Sequence, residues 1–335
     1  MSLIAAFLVV CIHMPSTSVH GLTQLFERFI GTHLAAAAVP FFFIVSGLLL
    51  GRHTGEPEWY RAALRKRIKT LLIPYLIWCI ILGVTRNANS LLANIIHHQP
   101  LMRYIDLGPI YIFGLNPNVN PPQPLWYLRA LILYVIVSLT LVWIARRRSF
   151  FALGVLGLFA LGCWQGQLVA RFPGELFVFT LAPLNILCFL LGIFFGRNVQ
   201  LVETTANWRG YMVMAVALML ILFNAICGYV QLELGSEFSN LLRQVAILLT
   251  IWGAWQICPA IELPTILKAQ SFPIYLLHGV FMMVILVMKN VVPAFVESIG
   301  GYCVSVVFLV GCSIIASYWL RRFMPRFSRV IFGGR

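Results

Sequence analysis

Residues 65–85 read RKRIKTLLIPYLIWCIILGVT, and this stretch decides the fold. Four of its first five residues are basic, and from Thr70 to Thr85 it carries no charge. A run of this length and composition suits a helix crossing a hydrocarbon core of roughly 30 Å, with its cations left at the membrane surface.

The same pattern recurs along the chain. The 335 residues are 61% hydrophobic and only 10% charged. Soluble proteins carry roughly 25% charged residues, so lipid has to solvate most of this exterior. Apolar runs predict spans at 2–20, 33–50, 70–86, 125–144, 150–168, 177–196, 210–230, 241–258, 272–289 and 299–319. The expected fold is all-α, a polytopic transmembrane helical bundle of about ten helices. Residues 1–335 form one membrane domain with an outer loop at 87–124 and a cytoplasmic tail at 320–335.

A net charge of +14 raises nucleic acid as a partner, but the basic residues are scattered over short connections. With the N-terminus inside, seventeen Lys and Arg fall on inner loops and tail and five on outer loops. This bias predicts both termini in the cytoplasm and an inner or plasma membrane location. It argues for a lipid bilayer as partner and against nucleic acid. The N-terminus shows no basic n-region or cleavage site, so no removable signal peptide is expected. Most of the eight cysteines lie in apolar runs, where buried thiols are the ordinary state. No internal repeat or inverted pair of broken helices is visible, which weighs against a repeat-built transporter.

Ionisable residues within the predicted spans are few: His13, His278, Arg129 and Arg243. A charge at that depth is costly and tends to face a cavity. The His13 imidazole has the chemistry of a general base for a hydroxyl. An equally weighted alternative is a neutral histidine bonded to a nearby backbone or hydroxyl group. Arg243 stands one turn from a helix end, where it can snorkel. Arg61, Arg65 and Lys69 share one helical face. Such a cluster suits the phosphates of a nucleotide-bearing ligand or, on its own evidence more simply, anionic lipid. Ser46 and Gly47 are small enough to admit a ligand or a neighbouring helix, with helix packing favoured on this segment alone. The long loop holds His97, His98 and Asp106 and the run NPNVNPPQP at 116–124. The histidine pair has no partner cluster, so no metal site is expected.

Five pieces, in order, resemble the acyltransferase-3 family of membrane acyltransferases. They are LVVCIH at 8–13, AAVPFFFIVSG at 37–47, RKRIKTLLIPYLIW at 65–78, LWYLRAL at 125–131 and SFPIYLLH at 271–278. The resemblance implies a ten-helix domain that takes an acyl group, usually acetyl, from cytoplasmic acyl-CoA as co-substrate. It implies delivery to a hydroxyl of a carbohydrate or lipid-linked glycan at the outer face. By this likeness His13 is the catalytic histidine, and Arg65 and Arg67 serve the CoA donor. Lys69 and Ser46 are then expected beside the donor, and Arg129 is expected to stabilise the oxyanion or orient the acceptor. The chain departs from the family pattern at Ser2 and Thr70, where basic residues are common. Two rivals stand beside this reading: a transporter or flippase for a glycan or acyl metabolite, and a non-catalytic interaction protein on the same fold.

Overall fold

A computed structural model describes residues 1–15, 21–56, 58–96, 125–171, 180–201, 208–232, 234–257, 264, 267 and 269–334. Among these residues all regular structure is helical. Helix α1 is Ser2–His13, and α2 is the composite run Leu22–Gly51. Helix α3 runs without a break through Trp59–Arg67, a π-helical stretch Ile68–Leu72, and Ile73–Ile96. There follow α4 (Trp126–Ile136), α5 (Ser138–Arg146), α6 (Arg148–Cys163), α7 (Gln165–Arg171) and α8 (Pro183–Arg197). The chain continues with α9 (Trp208–Tyr229), α10 (Ser236–Ile257), α11 (Ser271–Val291), α12 (Ile299–Phe323) and α13 (Pro325–Ile331).

Five of the described runs are long and apolar enough to cross a membrane. The number rises to seven if the bent pairs α4–α5 and α6–α7 each count as one span. Their outward residues suit lipid: Leu156, Val307 and Phe323 are each about two-thirds exposed.

Several predicted boundaries shift for identifiable reasons. The first span was expected to reach residue 20, but α1 stops at His13. Met14 is extended, with ψ 139°. A residue before proline is pushed out of the α region, and Pro15 follows. Helix α2 starts at Leu22, well before the expected residue 33, and absorbs a π-helical turn at Arg28–Leu34. Residues 87–96, expected in the outer loop, continue α3. His97, His98, Asp106 and the Asn/Pro run lie outside the described residues. Helix α6 ends where Asn240 and Gln244 of α10 donate to the carbonyls of Cys163 (3.1 Å) and Phe159 (3.4 Å). The chain then bends by 70° into α7.

The closest helix pair is α2 with α8. Gly47 and Gly51 on one face Gly192 and Gly196 on the other. A Cβ at Gly47 would collide with the Phe189 carbonyl, and one at Gly192 with the Ile44 carbonyl. Small residues four apart on both partners let the backbones touch, the usual device for helices that associate in lipid. Helices α1, α11 and α12 pack beside this pair.

One end of the bundle gathers the cations. Arg146 donates to the Thr54 carbonyl (3.1 Å) and Arg197 to the Thr54 hydroxyl (2.6 Å). Arg321 donates to the Ala269 carbonyl (3.1 Å) and lies over the Phe332 ring. The basic start of α3 belongs to the same end, because α13 folds back onto α3 and the Trp78 indole donates to the Ile331 carbonyl (3.0 Å).

Candidate active site

At this basic end a cavity of about 630 Å³ opens between α2, α3, α4 and α11. Its size falls within the range of sites that hold organic ligands. Lys66 and Arg67 line it together with Trp59, all from the start of α3. His53 and Glu56 also line it and pair with each other at 2.6 Å, so the carboxylate there is partly engaged. Ser46, Tyr127 and Tyr275 line it as well, with Ser2 and Ser271 from the starts of α1 and α11.

The basic residues sort differently from the sequence expectation. Half-buried Arg67 lines the cavity, as does its exposed neighbour Lys66, whereas Arg65 and Lys69, also exposed, do not. The expected common face of Arg61, Arg65 and Lys69 assumed a regular α-helix. All three are exposed, and the helix turns π-helical at Ile68–Leu72. Ser46 does reach the cavity, and its hydroxyl lies 3.2 Å from the Tyr127 phenol.

From the cavity a file of rings leads inward. Tyr127 meets Tyr275 with centroids 5.6 Å apart. Tyr275 meets His278 at 6.4 Å, and His278 stacks on His13 at 5.2 Å. Phe272, Tyr275 and His278 stand three residues apart on α11, so they share one face of that helix. Both α1 and α11 begin at the cavity, with Ser2 and Ser271, and run the same way until the histidines meet. At 1.5 Å per residue, the pair lies about 10–16 Å along these helices from the cavity end.

His278 is fully buried, and its Nδ1 lies 3.0 Å from the Ile274 carbonyl. A carbonyl only accepts, so Nδ1 carries the proton of this bond and Nε2 keeps its lone pair. His13 is half-buried at the end of α1, where the turn into Pro15 sets its ring against His278. Sequence reasoning noted His278 but gave it no part in the site. Its signal was the one that singled out His13, an ionisable residue within an apolar run.

Arg129 is buried in α4 and donates to the Thr180 hydroxyl through Nε (3.2 Å) and Nη2 (3.1 Å). Tyr134, a turn further on, donates to the Thr180 carbonyl at 2.7 Å. These bonds anchor the guanidinium. Arg243 lies exposed on α10. Among the described residues no three His, Cys, Asp or Glu side chains cluster as metal ligands would.

The arrangement offers an anion-compatible cavity and, behind it, a file of packed aromatic rings that ends at His278 and His13, neither of which lines the cavity. Comparison with known proteins bears on what such a site does. No curated protein and no solved structure matches the chain. The family model of the acyltransferase-3 group, described as an acyltransferase domain, matches residues 3–320, nearly the whole chain, and the protein belongs to that family of acyltransferases.

Proposed function

We propose that the protein is a membrane O-acyltransferase that moves an acyl group, most simply acetyl, from cytoplasmic acyl-CoA to a hydroxyl of a carbohydrate or lipid-linked glycan at the outer face. The observation that carries the reading is the continuity from the basic cavity, past Tyr127 and Tyr275, to the stacked His278 and His13. Lys66 and Arg67 suit the phosphates of CoA, and Trp59 gives its adenine or pantetheine an apolar surface. The thioester then reaches inward between α2 and α11 to His13.

In the proposed step His13 accepts the proton of the acceptor hydroxyl as that oxygen bonds to the thioester carbonyl carbon. The C–S bond breaks, and the departing thiolate takes the proton from the imidazolium, giving the ester and CoA thiol. His278, held by Ile274, acts as a positioning residue that fixes the His13 ring. Arg129, anchored on Thr180, supplies positive potential toward the acceptor side. The basic end faces the cytoplasm of an inner or plasma membrane in this proposal, as the loop charge bias suggests. Counting Ser2–His13, Pro183–Arg197 and Ser236–Ile257 as crossings beside the seven would bring the number to ten.

Transfer of label from radiolabelled acetyl-CoA into a glycan or lipid fraction, in membranes carrying the wild type or His13→Ala, tests the proposal. Label with the wild type alone supports it. Acceptor movement across the membrane without acyl-CoA-dependent modification would replace it with transport.

A further inference from the structure

The C-terminal segment 325–334 lies beyond the residues matched by the family, yet it closes one side of the cavity. Helix α13 carries Ile331 and Phe332 into the core, where they are 2% and 0% exposed. The next two residues, Gly333 and Gly334, line the cavity together with Lys66 and Arg67, and Gly333 sits against Thr70, one turn further along α3. Both have left-handed backbones, with φ 64° and 77°.

Their hydrogen bonds explain the shape. Gly333 N–H donates to the Val330 carbonyl (3.3 Å) and Gly334 N–H to the Arg329 carbonyl (2.6 Å). This is a Schellman ending, which occupies carbonyls that would otherwise present negative potential. The two glycines differ in their surroundings. A Cβ at Gly333 would strike the Thr70 carbonyl of α3, so this residue locks the segment against the wall. A Cβ at Gly334 would meet nothing within 4 Å, so this residue borders open space.

We infer that the C-terminal segment is a wall of the acyl-CoA donor site, and that Gly334 is a specificity-determining position whose missing side chain leaves room for the anionic part of the donor beside Lys66 and Arg67. This rests on the donor reading above. Gly333 serves the fold, while Gly334 serves the ligand. A side chain at 334 would border the cavity that Lys66 and Arg67 also line, and a carboxylate there would repel the phosphates.

The test uses Gly334→Asn and Gly334→Asp, because both residues tolerate a left-handed backbone and differ by one charge. Binding of CoA to the full chain in lipid nanodiscs is measured by calorimetry, with the unfolding temperature of each variant recorded. The expected result is CoA binding by wild type, weaker binding by Gly334→Asn, whose side chain takes up the space, and a further loss of roughly fivefold or more in Gly334→Asp at low salt. Equal affinity in the two variants and wild type would overturn the inference while leaving the donor reading standing. Absence of CoA binding by wild type would overturn the donor reading and this inference with it. Alkylation of Gly334→Cys, followed by mass spectrometry, gives an independent readout. Slowing by CoA supports the wall, and an unchanged rate in a chain that binds CoA counts against it.

Discussion

His13 and His278 stack with ring centroids 5.2 Å apart and planes inclined by 30°, although 265 positions of sequence separate them. Helices α1 and α11 run side by side to bring the rings together, and the Ile274 carbonyl holds one of them. If His13 is the base, its loss removes the proton acceptor, whereas loss of His278 removes only the surface that orients it. His13→Ala should therefore lower acetyl transfer by about 10²–10⁴. His278→Ala should lower kcat with little change in donor KM. His278→Asn, whose amide can still donate to Ile274, should recover part of the loss. Steady-state kinetics on protein with unchanged unfolding temperature checks this. A His278→Ala variant with wild-type kcat would remove the positioning role.

The cavity divides the basic run of α3 into two pairs. Lys66 and Arg67 line the cavity, and Arg65 and Lys69 do not. Charge-assisted bonds to phosphate are strong enough that Arg67→Ala should raise the acyl-CoA KM roughly tenfold. Lys66→Ala should act in the same direction. Arg65→Ala and Lys69→Ala should change it by less than about threefold, because these charges do not line the cavity and act on it only through solvent and salt. Donor titrations of the four variants at one ionic strength decide between this pairing and the one expected from a regular helix.

The legible part of the fold was the part written in hydropathy. The span over 299–319 lies within α12, and that over 210–230 overlaps α9. The misjudged parts depended on single residues or on partners distant in sequence. Pro15 ended α1 early, and a π-helical stretch interrupted α3 after Arg67. Ser46 and Arg67, which line the cavity, stood out in the sequence because smallness and charge near a membrane surface are local properties. Tyr127, Tyr275 and the glycines at 333 and 334 were not. An aromatic in an apolar run reads as packing until its neighbours are known, and a glycine reads as a turn until a cavity is seen beside it.

The α2–α8 contact makes a stability prediction that is independent of chemistry. A side chain at Gly47 or Gly192 would meet backbone atoms of the partner helix, which cannot rotate away as a side chain can. Gly47→Leu and Gly192→Leu should each destabilise the protein by at least about 1–3 kcal/mol, the usual scale of overpacking. Gly157 is exposed on α6 with nothing within 4 Å of a built Cβ. Gly157→Leu should leave the unfolding temperature within about 2 °C of wild type. Thermal unfolding in detergent, followed by intrinsic fluorescence, compares the three. Equal melting of Gly192→Leu and wild type would show that the helices are not in backbone contact.

Trp78 ties the C-terminal segment to α3. Its indole Nε1–H donates to the Ile331 carbonyl at 3.0 Å, one of the terminal carbonyls of α13 that have no partner within the helix. Trp78 is 2% exposed and Ile331 equally buried, so water cannot easily take the place of the indole. Trp78→Phe keeps most of the apolar packing but leaves this acceptor unsatisfied, at a cost of about 1–3 kcal/mol. Because the bond joins α13 to the bundle, the loss should fall on that attachment before it falls on global unfolding. Amide hydrogen exchange of residues 325–334 should accelerate by roughly tenfold or more, with little change in α9 or α12. The donor KM should rise with it, since the wall that Gly333 and Gly334 give the cavity would loosen, while kcat at saturating donor stays near wild type. Faster exchange with an unchanged donor KM would mean that α13 is anchored by Trp78 but plays no part in holding the donor.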